Sequence, residues 1–208
     1  MLSVHNLACQ RGGRELFSGI NFELNPGELL YIRGANGTGK TTLLRSVCGL
    51  TQPENGEIHW NKQGITSQAT EFHQQLCYLG HRNGLHPELS PFENLLTDAD
   101  LHPSSSDADI SAAIDAAGIK EKTDVPVKYL SQGQQRRVAL SKCLVRNSKL
   151  WVLDEPFTAL DDKAIDWFVS VIAMHLENSG MVLLTTHQET AVNAHVTREV
   201  MLVTETML

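Results

Sequence analysis

The sequence predicts an α/β fold in which a mixed β-sheet packs against helices, and three patterns support this prediction. Short apolar runs such as Leu29–Ile32, Leu150–Leu153 and Met181–Thr186 have the length and composition of buried strands. Apolar residues with helical spacing follow the second run, at residues 165–176. Alternating side chains near the N-terminus predict strands with one buried face. Together these patterns are typical of a sheet covered by helices, with an antiparallel part at the N-terminus.

The N-terminal residues predict two strands and two turns. Leu2–Leu7 and Ile20–Leu24 alternate between apolar and polar side chains, as half-buried strands do. One turn is predicted at Arg11–Arg14, which contains two adjacent glycines, and another at Asn25–Glu28, which contains Pro-Gly. The second turn leads directly into the apolar strand Leu29–Ile32.

A glycine-rich segment follows that strand and precedes a helical pattern that runs to about Leu50. Residues 34–41 have the spacing G-x-x-x-x-G-K-T of a phosphate-binding loop. Glycines let backbone N–H groups approach phosphate oxygens, and the helix N-terminus adds a favourable dipole. Lys40 is expected to reach the β- and γ-phosphates, and Thr41 to coordinate Mg²⁺. The predicted nucleotide-binding residues here are Gly34, Ala35, Asn36, Gly37, Thr38, Gly39, Lys40, Thr41 and Thr42.

Beyond this helix the pattern changes from strands to helices. Residues 57–60 predict a short strand and residues 76–79 a buried one, while residues 61–75 are polar and weakly patterned. Residues 81–89 have the composition of a loop.

Two helices are predicted in the middle of the chain. Ser90–Glu93 has the capping serine, proline and glutamate of a helix start, and residues 109–117 predict a second helix after a polar linker at 102–106. These features indicate an inserted helical subdomain in a single domain. The predicted division of residues 1–208 is a core at 1–85 and 140–208 and a helical subdomain at 86–139.

The C-terminal third contains two segments suited to phosphate chemistry. Ser131–Gln134 begins a long helix predicted from Gln134 to Arg146, where a capping serine and exposed N–H groups can bind an anion. The strand Leu150–Leu153 ends in two carboxylates. Asp154 can hold Mg²⁺ together with Thr41, and Glu155 can orient or deprotonate a water molecule. Each segment alone is more often an ordinary helix start or strand-end turn.

The remaining C-terminal elements follow in order. Asp161 or Asp162 is predicted to cap a helix that ends near Gly180. The strand at 181–186 then presents His187, whose imidazole could contact a γ-phosphate or simply be a surface side chain. Residues 199–203 predict a last strand.

Composition limits the possible classes of protein. The 208 residues are 41% hydrophobic, enough for a sizeable core, and the net charge of −7 argues against nucleic-acid binding. The four cysteines are scattered among apolar neighbours, which predicts reduced, buried thiols. Leu2–Leu7 reads as a strand rather than a signal peptide, and no apolar run is long enough to span a bilayer. Any membrane role is therefore expected to involve a partner.

In this order along the chain, the motifs resemble those of the ATP-binding cassette (ABC) ATPases. Residues 34–41 match the Walker A motif, and Leu150–Glu155 matches Walker B with its catalytic glutamate. Thr158–Asp161 resembles the D-loop through Asp161, and His187 resembles the switch histidine. The residues similar to the LSGGQ signature are Leu130, Ser131, Gln132, Gly133 and Gln134.

The resemblance covers essentially the whole chain and implies a P-loop NTPase (RecA-like) core that hydrolyses ATP with Mg²⁺. It implies a head-to-tail pair of copies, with each ATP between Walker A of one copy and residues 130–134 of the other. It also implies integral membrane permease subunits that dock on the helical subdomain. The alternatives are a soluble ABC protein, which generally has two cassettes or coiled-coil insertions, and a P-loop kinase or GTPase, which lacks the signature.

Two positions depart from the family pattern. The family usually has a glutamine after the strand at 76–79, where this chain has His81. Either His81 replaces that glutamine as a catalytic ligand of water, or the contact is lost. The family also stacks an aromatic ring on adenine near residues 9–14, where this chain has none and only the guanidinium of Arg11 could stack.

Within the family, the short chain and the segments Tyr78–His81 and Trp151–Asp161 resemble ATP-binding subunits of bacterial haem-export and cytochrome c maturation systems. This resemblance implies a peripheral protein on the cytoplasmic face of the inner membrane, whose ATP hydrolysis is tied to release of a haem-loaded chaperone. The alternative is an ATPase subunit for another small substrate or a lipoprotein, because substrate specificity resides in the permease.

Overall fold

The computed structural model of this protein describes residues 1–100, 106–187 and 195–202. The strands are β1 (Leu2–Arg11), β2 (Arg14–Leu24), β3 (Leu29–Arg33), β4 (Asn55–Trp60), β5 (Gln63–Gly64), β6 (Leu76–Leu79), β7 (Leu150–Asp154), β8 (Met181–Thr185) and β9 (Arg198–Met201). The helices are α1 (Lys40–Val47), α2 (Ala69–Gln74), α3 (Pro91–Asp100), α4 (Asp107–Ala116), α5 (Gln132–Val145) and α6 (Asp162–Glu177), with 3₁₀ turns at Lys120–Lys122 and Val127–Tyr129.

Antiparallel and parallel pairing occur in two separate sheets. The antiparallel sheet has the order β2-β1-β4-β5, and the parallel sheet has the order β6-β7-β8-β3-β9. The α/β class and the antiparallel N-terminal part are therefore confirmed. Because the strands of the second sheet are parallel, the carboxyl ends of β3, β6, β7 and β8 meet at one edge, where ligands bind in folds of this kind.

Strands β3, β6, β7 and β8 of the parallel sheet are buried on both faces, which explains their nearly continuous apolar sequences. In β3, Leu30 and Ile32 face the cluster that also contains the antiparallel sheet and α1, whereas Leu29 and Tyr31 face the cluster formed with α5 and α6. A third cluster joins α3, α4 and α5. All four cysteines are free thiols and buried, so that prediction is confirmed.

Helix α5 packs both in the helical part and against the parallel sheet, and so connects the two. Within this one helix, Val138 packs in the third cluster, while Ala139 and Leu140 pack against the parallel sheet. The helix therefore runs without a break across the predicted boundary between residues 139 and 140. The division into a core and a subdomain at residues 86–139 stays a prediction.

Several element boundaries differ from the prediction. The weakly patterned residues 61–75 contain β5 and α2, whose short lengths leave no clear periodicity in the sequence. Helix α1 ends at Val47 because Gly49 adopts φ +72° and ends the helical turn, and α5 begins at Gln132 rather than at residue 134. Of the linker predicted at 102–106, residues 102–105 lie outside the described part of the chain, as does residue 203 of the last strand.

His175 on α6 occupies an apolar site against the sheet. Its ring stacks on that of Trp151, with centroids 3.7 Å apart and planes 5° from parallel. Only glycine fits at position 180, because an added Cβ would overlap the His175 ring. Burial lowers the pKa of His175 from 6.5 to about 4, since the apolar surroundings disfavour the charged form.

We expect the free energy of unfolding to fall as the pH decreases from 6.5 towards about 4. In that window the unfolded chain binds a proton on His175 that the folded chain excludes, so this stability is complete above pH 6.5 and is lost progressively as the pH falls towards about 4. The shift corresponds to about 3 kcal/mol, which the exposed part of the ring reduces to roughly 1–2 kcal/mol. Urea unfolding of wild type and His175→Phe at about pH 7 and about pH 5 measures it. His5→Phe, at an exposed position, is the control. If the free energy of unfolding of His175→Phe depends on pH as strongly as that of wild type, the expectation is contradicted.

Candidate nucleotide-binding site

A cleft of about 300 Å³ lies at the carboxyl edge of the parallel sheet. Its walls come from the β1–β2 hairpin, the loop before α1 and the ends of β6, β7 and β8. Every lining residue is a site residue predicted from the sequence, with the exception of Leu16. The lining residues are Arg11, Leu16, Asn36, Gly37, Gly39, Lys40, Thr41, Thr42, His81, Asp154, Glu155 and His187.

Glycines shape the loop between β3 and α1. Gly34 and Gly39 have φ angles of +154° and +97°, in the region that favours glycine. A Cβ on Gly34 would lie 2.7 Å from Thr38 Oγ1, and one on Gly39 would lie 3.0 Å from both Leu16 and Phe17. The loop therefore closes tightly against the hairpin and leaves its backbone accessible to the cleft.

Helix α1 presents its N-terminus to this loop. Its cap residue, Gly39, forms no side-chain cap, and the first turn carries no acidic side chain, so neither competes with an anion for the first N–H groups. The Lys40 ammonium donates to the carbonyl oxygens of Gly34 and Ala35 at 2.7 and 3.2 Å. An ammonium has three N–H donors, so one remains for a phosphate oxygen.

The carboxylate of Asp154 joins three elements at the base of the cleft. Asp154 is 2% exposed. Its Oδ2 accepts a hydrogen bond from Thr41 Oγ1 at 2.8 Å, and its Oδ1 accepts one from Thr185 Oγ1 at 2.8 Å. The register of β7 and β8, which pairs Asp154 with Thr185, makes the second bond possible. These bonds compensate the carboxylate for its loss of water.

Glu155 adopts an unusual backbone conformation beside Asp154. Its φ of +50° is uncommon for a residue with a side chain and costs roughly 1 kcal/mol or more. The backbone N–H of Glu155 donates to Thr185 O and Oγ1 at 3.1 and 3.2 Å. Its carboxylate accepts from the backbone N–H of His187 at 3.0 Å, and the His187 ring Nε2 lies 3.4 Å from Oε1. The structure thus brings Glu155 and His187 together.

His81 lies on the exposed loop that follows β6 and lines the opposite wall of the cleft. Tyr78 lies beneath this loop, where a Cβ on Gly80 would lie 2.9 Å from its hydroxyl oxygen. Burial raises the pKa of Tyr78 to about 12. The phenol therefore stays protonated at neutral pH and is not a general base.

Residues 130–134 do not line this cleft. Ser131 and Gln134 form a capping box at the start of α5: Ser131 Oγ accepts from Gln134 N at 3.2 Å, and Gln134 Oε1 accepts from Ser131 N at 2.9 Å. Leu130 is buried, whereas Ser131 and Gln132 are exposed. A Cβ on Gly133 would lie 2.7 Å from the carbonyl oxygen of Ala159, so the helix start packs closely on the next loop.

Asp161 is the cap of α6, since its Oδ1 accepts a hydrogen bond from Ala164 N at 2.9 Å. This decides between the two capping residues that the sequence left open. Asp161 lies on the same loop as Ala159 and is exposed. The D-loop role that the family resemblance implies for Asp161 therefore concerns the surface around the start of α5 rather than this cleft.

Three functional residues escaped prediction. Thr185 ends an apolar strand, and only the β7–β8 register reveals that it contacts Asp154. Arg136 is a charged residue at a buried helical position, a signal that could have been read from the apolar residues at 138–140. Leu16 lies next to Phe17 in an otherwise polar hairpin, and this pair of apolar residues gives no sign of a role in the cleft.

The oxygen donors of Thr41 and Asp154 fit a magnesium ion, which prefers hard oxygen ligands. Within residues 1–100, 106–187 and 195–202, no group of three or more His, Cys, Asp and Glu side chains could hold a metal ion. A metal held by Thr41 and Asp154 would therefore need oxygen ligands from a bound phosphate or water. This is typical of Mg²⁺ that enters with a nucleotide.

Comparison with known proteins defines the class. Residues 17–158 match the family profile described as ABC transporter. A solved structure titled "Structure of ATP binding subunit of ABC transporter" superposes with a TM-score of 0.89 at 22% identity, covering 97% of this chain and 85% of that one. A putative ABC transporter ATP-binding protein from Pyrococcus furiosus gives a TM-score of 0.83 at 24% identity, covering 97% and 96%. The two structures share the fold of this chain.

Curated relatives give a narrower family. The chain is 47% identical over 203 residues to the cytochrome c biogenesis ATP-binding export protein CcmA of Dechloromonas aromatica, covering 97% of this chain and 100% of the relative. It is 44% identical to the CcmA protein of Nitrosomonas europaea, covering 91% and 89%, and 46% identical to that of Vibrio vulnificus, covering 91% and 93%. The chain belongs to the ABC transporter family and, within it, to the family of these CcmA proteins.

Replacing Thr185 by valine is expected to destabilise the protein by roughly 1–3 kcal/mol, because the buried Asp154 oxygen loses its hydrogen-bond donor without a change in shape. Thr185→Ser keeps the hydroxyl and should recover most of this loss. Urea unfolding at neutral pH measures both variants. Equal stability of Thr185→Val and wild type would show that the Thr185–Asp154 bond contributes nothing.

Proposed function

We propose that this chain is the ATP-hydrolysing subunit of a membrane ABC transporter that serves cytochrome c maturation. The observation that carries the proposal is the convergence of Lys40, the Thr41–Asp154 pair and the Glu155–His187 pair on one cleft. The kinship with CcmA proteins supports the haem-export or cytochrome c system as the setting. In that setting hydrolysis would power release of a haem-loaded chaperone.

The loop at residues 34–42 is proposed to hold the phosphates of ATP. Its backbone N–H groups and the N-terminus of α1 attract the anion, and the third N–H of Lys40 can bond to a β- or γ-phosphate oxygen. Arg11 and Leu16 lie on the hairpin side of the same cleft. There, a guanidinium plane and an apolar side chain can contact adenine in place of an aromatic ring.

Thr41 and Asp154 would hold Mg²⁺, which when bound neutralises charge on the phosphates. Glu155 is proposed to accept a proton from the attacking water while the water oxygen bonds to the γ-phosphorus. The bond between the γ-phosphorus and the oxygen that bridges to the β-phosphate breaks at the same time, which leaves ADP and phosphate. His187 is proposed to contact the γ-phosphate. His81, on the opposite wall, is proposed to orient the water, in the place of the family's glutamine.

A second copy of the chain is proposed to complete the site. The capping box at Ser131 satisfies the N–H groups of Ser131 and Gln134, which leaves those of Gln132 and Gly133 in the first turn for an anion. Because residues 130–134 lie outside the cleft of their own chain, a head-to-tail pair would bring them to the ATP of the other copy. Asp161 would lie at that interface.

The other proposed partners are integral membrane permease subunits. None of the helices in the described residues is long and apolar enough to cross a membrane. From the kinship with CcmA proteins we propose a peripheral position on the cytoplasmic face of the inner membrane, with the helical residues 86–139 as the permease-docking part of a single nucleotide-binding domain. No role for nucleic acid is proposed.

Glu155→Gln is expected to lower the rate of ATP hydrolysis by ~100-fold or more, because the amide cannot accept the water proton. Binding of ATP should change less than about threefold, since the phosphate loop is untouched. Radiolabelled ATP hydrolysis and equilibrium nucleotide binding measure the two quantities. The exposed Glu54→Gln is the matched control, and normal hydrolysis by Glu155→Gln would assign proton transfer to another group.

Copurification tests the membrane assignment. An affinity-tagged chain expressed in its native cell and extracted from membranes with mild detergent should bring down integral membrane subunits, identified by mass spectrometry. Lys40→Ala should bring down the same subunits, because docking is proposed to use residues 86–139. Recovery of the wild-type chain solely from the soluble fraction, with no integral membrane protein attached, would overturn the proposed function.

A further inference from the structure

Arg136 is a buried cation that contacts both walls of the cleft. It is the fifth residue of α5 and is 3% exposed. Its Nε donates to Pro156 O at 2.9 Å, and its Nη2 donates to the carbonyl oxygens of Asp154 and Glu155 at 3.2 and 2.8 Å. Its Nη1 donates to Gly80 O at 3.2 Å and to Asn83 Oδ1 at 3.0 Å.

The acceptors of Arg136 lie in two segments that are far apart in the sequence. One segment contains Glu155, whose φ of +50° requires support from its surroundings. Arg136 binds the carbonyl groups before and after the Glu155 Cα atom, while Thr185 binds its N–H group. The backbone of Glu155 is thus held on both sides, which orients its carboxylate towards the cleft.

The other segment is the loop after β6. Gly80 and Asn83 are bound by the same nitrogen of Arg136, and His81 lies between them in the sequence. One guanidinium group therefore links the loop of His81 to the loop of Glu155. Both residues line the nucleotide cleft, although Arg136 itself does not.

The chemistry of these contacts requires an arginine. A guanidinium group has five N–H donors in a rigid planar arrangement, and here five hydrogen bonds use them. A lysine ammonium has three donors and no planar fork, so it could not bind both loops in the same way. Burial lowers the pKa of Arg136, while the nearby Asp154 and Glu155 carboxylates favour its charged form.

We propose that Arg136 is a positioning residue for hydrolysis, which fixes Glu155 against the γ-phosphate and holds the loop of His81 in register with it. This inference rests on the proposed ATP hydrolysis. It gives α5 a second role within its own chain, in addition to presenting residues 130–134. A movement of α5 would displace Glu155 and His81 together.

Arg136→Lys and Arg136→Ala test the proposal in the full-length chain. Displacement of a catalytic group by about 1 Å can cost ~100-fold in rate, so we expect kcat to fall about 100-fold in Arg136→Ala and about 10-fold in Arg136→Lys. The Kd for ATP, measured with Mg²⁺ omitted and with Mg²⁺ present, should stay within about threefold of wild type. Guanidinium chloride at concentrations below denaturation should partly restore kcat in Arg136→Ala and should not affect Glu155→Gln.

Arg137→Ala is the matched control. Arg137 is the next residue of α5 and donates to the carbonyl oxygens of Ala117 and Gly118 at 3.1 and 3.3 Å, in the helical part away from the cleft. Its loss should lower the thermal midpoint without the selective fall in kcat. If Arg136→Ala does not fold, Arg136→Lys provides the same comparison.

The outcomes separate this inference from the proposed function. Wild-type kcat in both Arg136 variants, or losses of ATP affinity, stability and kcat that match those of Arg137→Ala, would overturn the positioning role alone. A wild-type chain that neither binds nor hydrolyses ATP would overturn the proposed function and this inference together. A selective fall in kcat with guanidinium rescue supports both.

Discussion

The rest of the site depends on the two hydrogen bonds that the buried carboxylate of Asp154 accepts. Its two oxygens accept hydrogen bonds from Thr41 and Thr185, which join the first turn of α1 to the ends of β7 and β8. An isolated buried carboxylate would be costly, so both hydroxyl groups stabilise the fold. The bond between Thr41 and Asp154 also sets the distance from the phosphate loop to Glu155, because Glu155 directly follows Asp154 in the chain.

Parallel strands explain why so many functional groups meet at one edge. The segments that follow β3, β6, β7 and β8 contribute cleft residues, among them Lys40, His81, Glu155 and His187. The buried Arg136 then links two of these loops through carbonyl groups rather than through carboxylates. Regular structure thus places the groups approximately, and two buried polar networks fix their final positions.

Local motifs in the sequence predicted most of the residues that line the cleft. The long-range contacts that support these residues could not be predicted from the sequence. Residues 34–41 could be predicted because their chemistry lies in one contiguous segment, as could the Asp154–Glu155 pair at a strand end. Thr185 and Arg136 reach Asp154 and Glu155 only through sheet register and helix packing, which a single sequence does not specify. Helix α2 was missed because its six residues are too few to produce a clear periodicity.

A structure of the full-length chain with Mn²⁺ and a non-hydrolysable ATP analogue tests the central claim that each chain holds half of an ATP site. Phosphates should lie on the loop at residues 34–42, with anomalous scattering from the metal beside Thr41 and Asp154. Ser131 and Gly133 of a second copy should contact the γ-phosphate. Phosphates enclosed by one chain alone, with residues 130–134 of every copy in solvent, or a metal remote from Asp154, would contradict it.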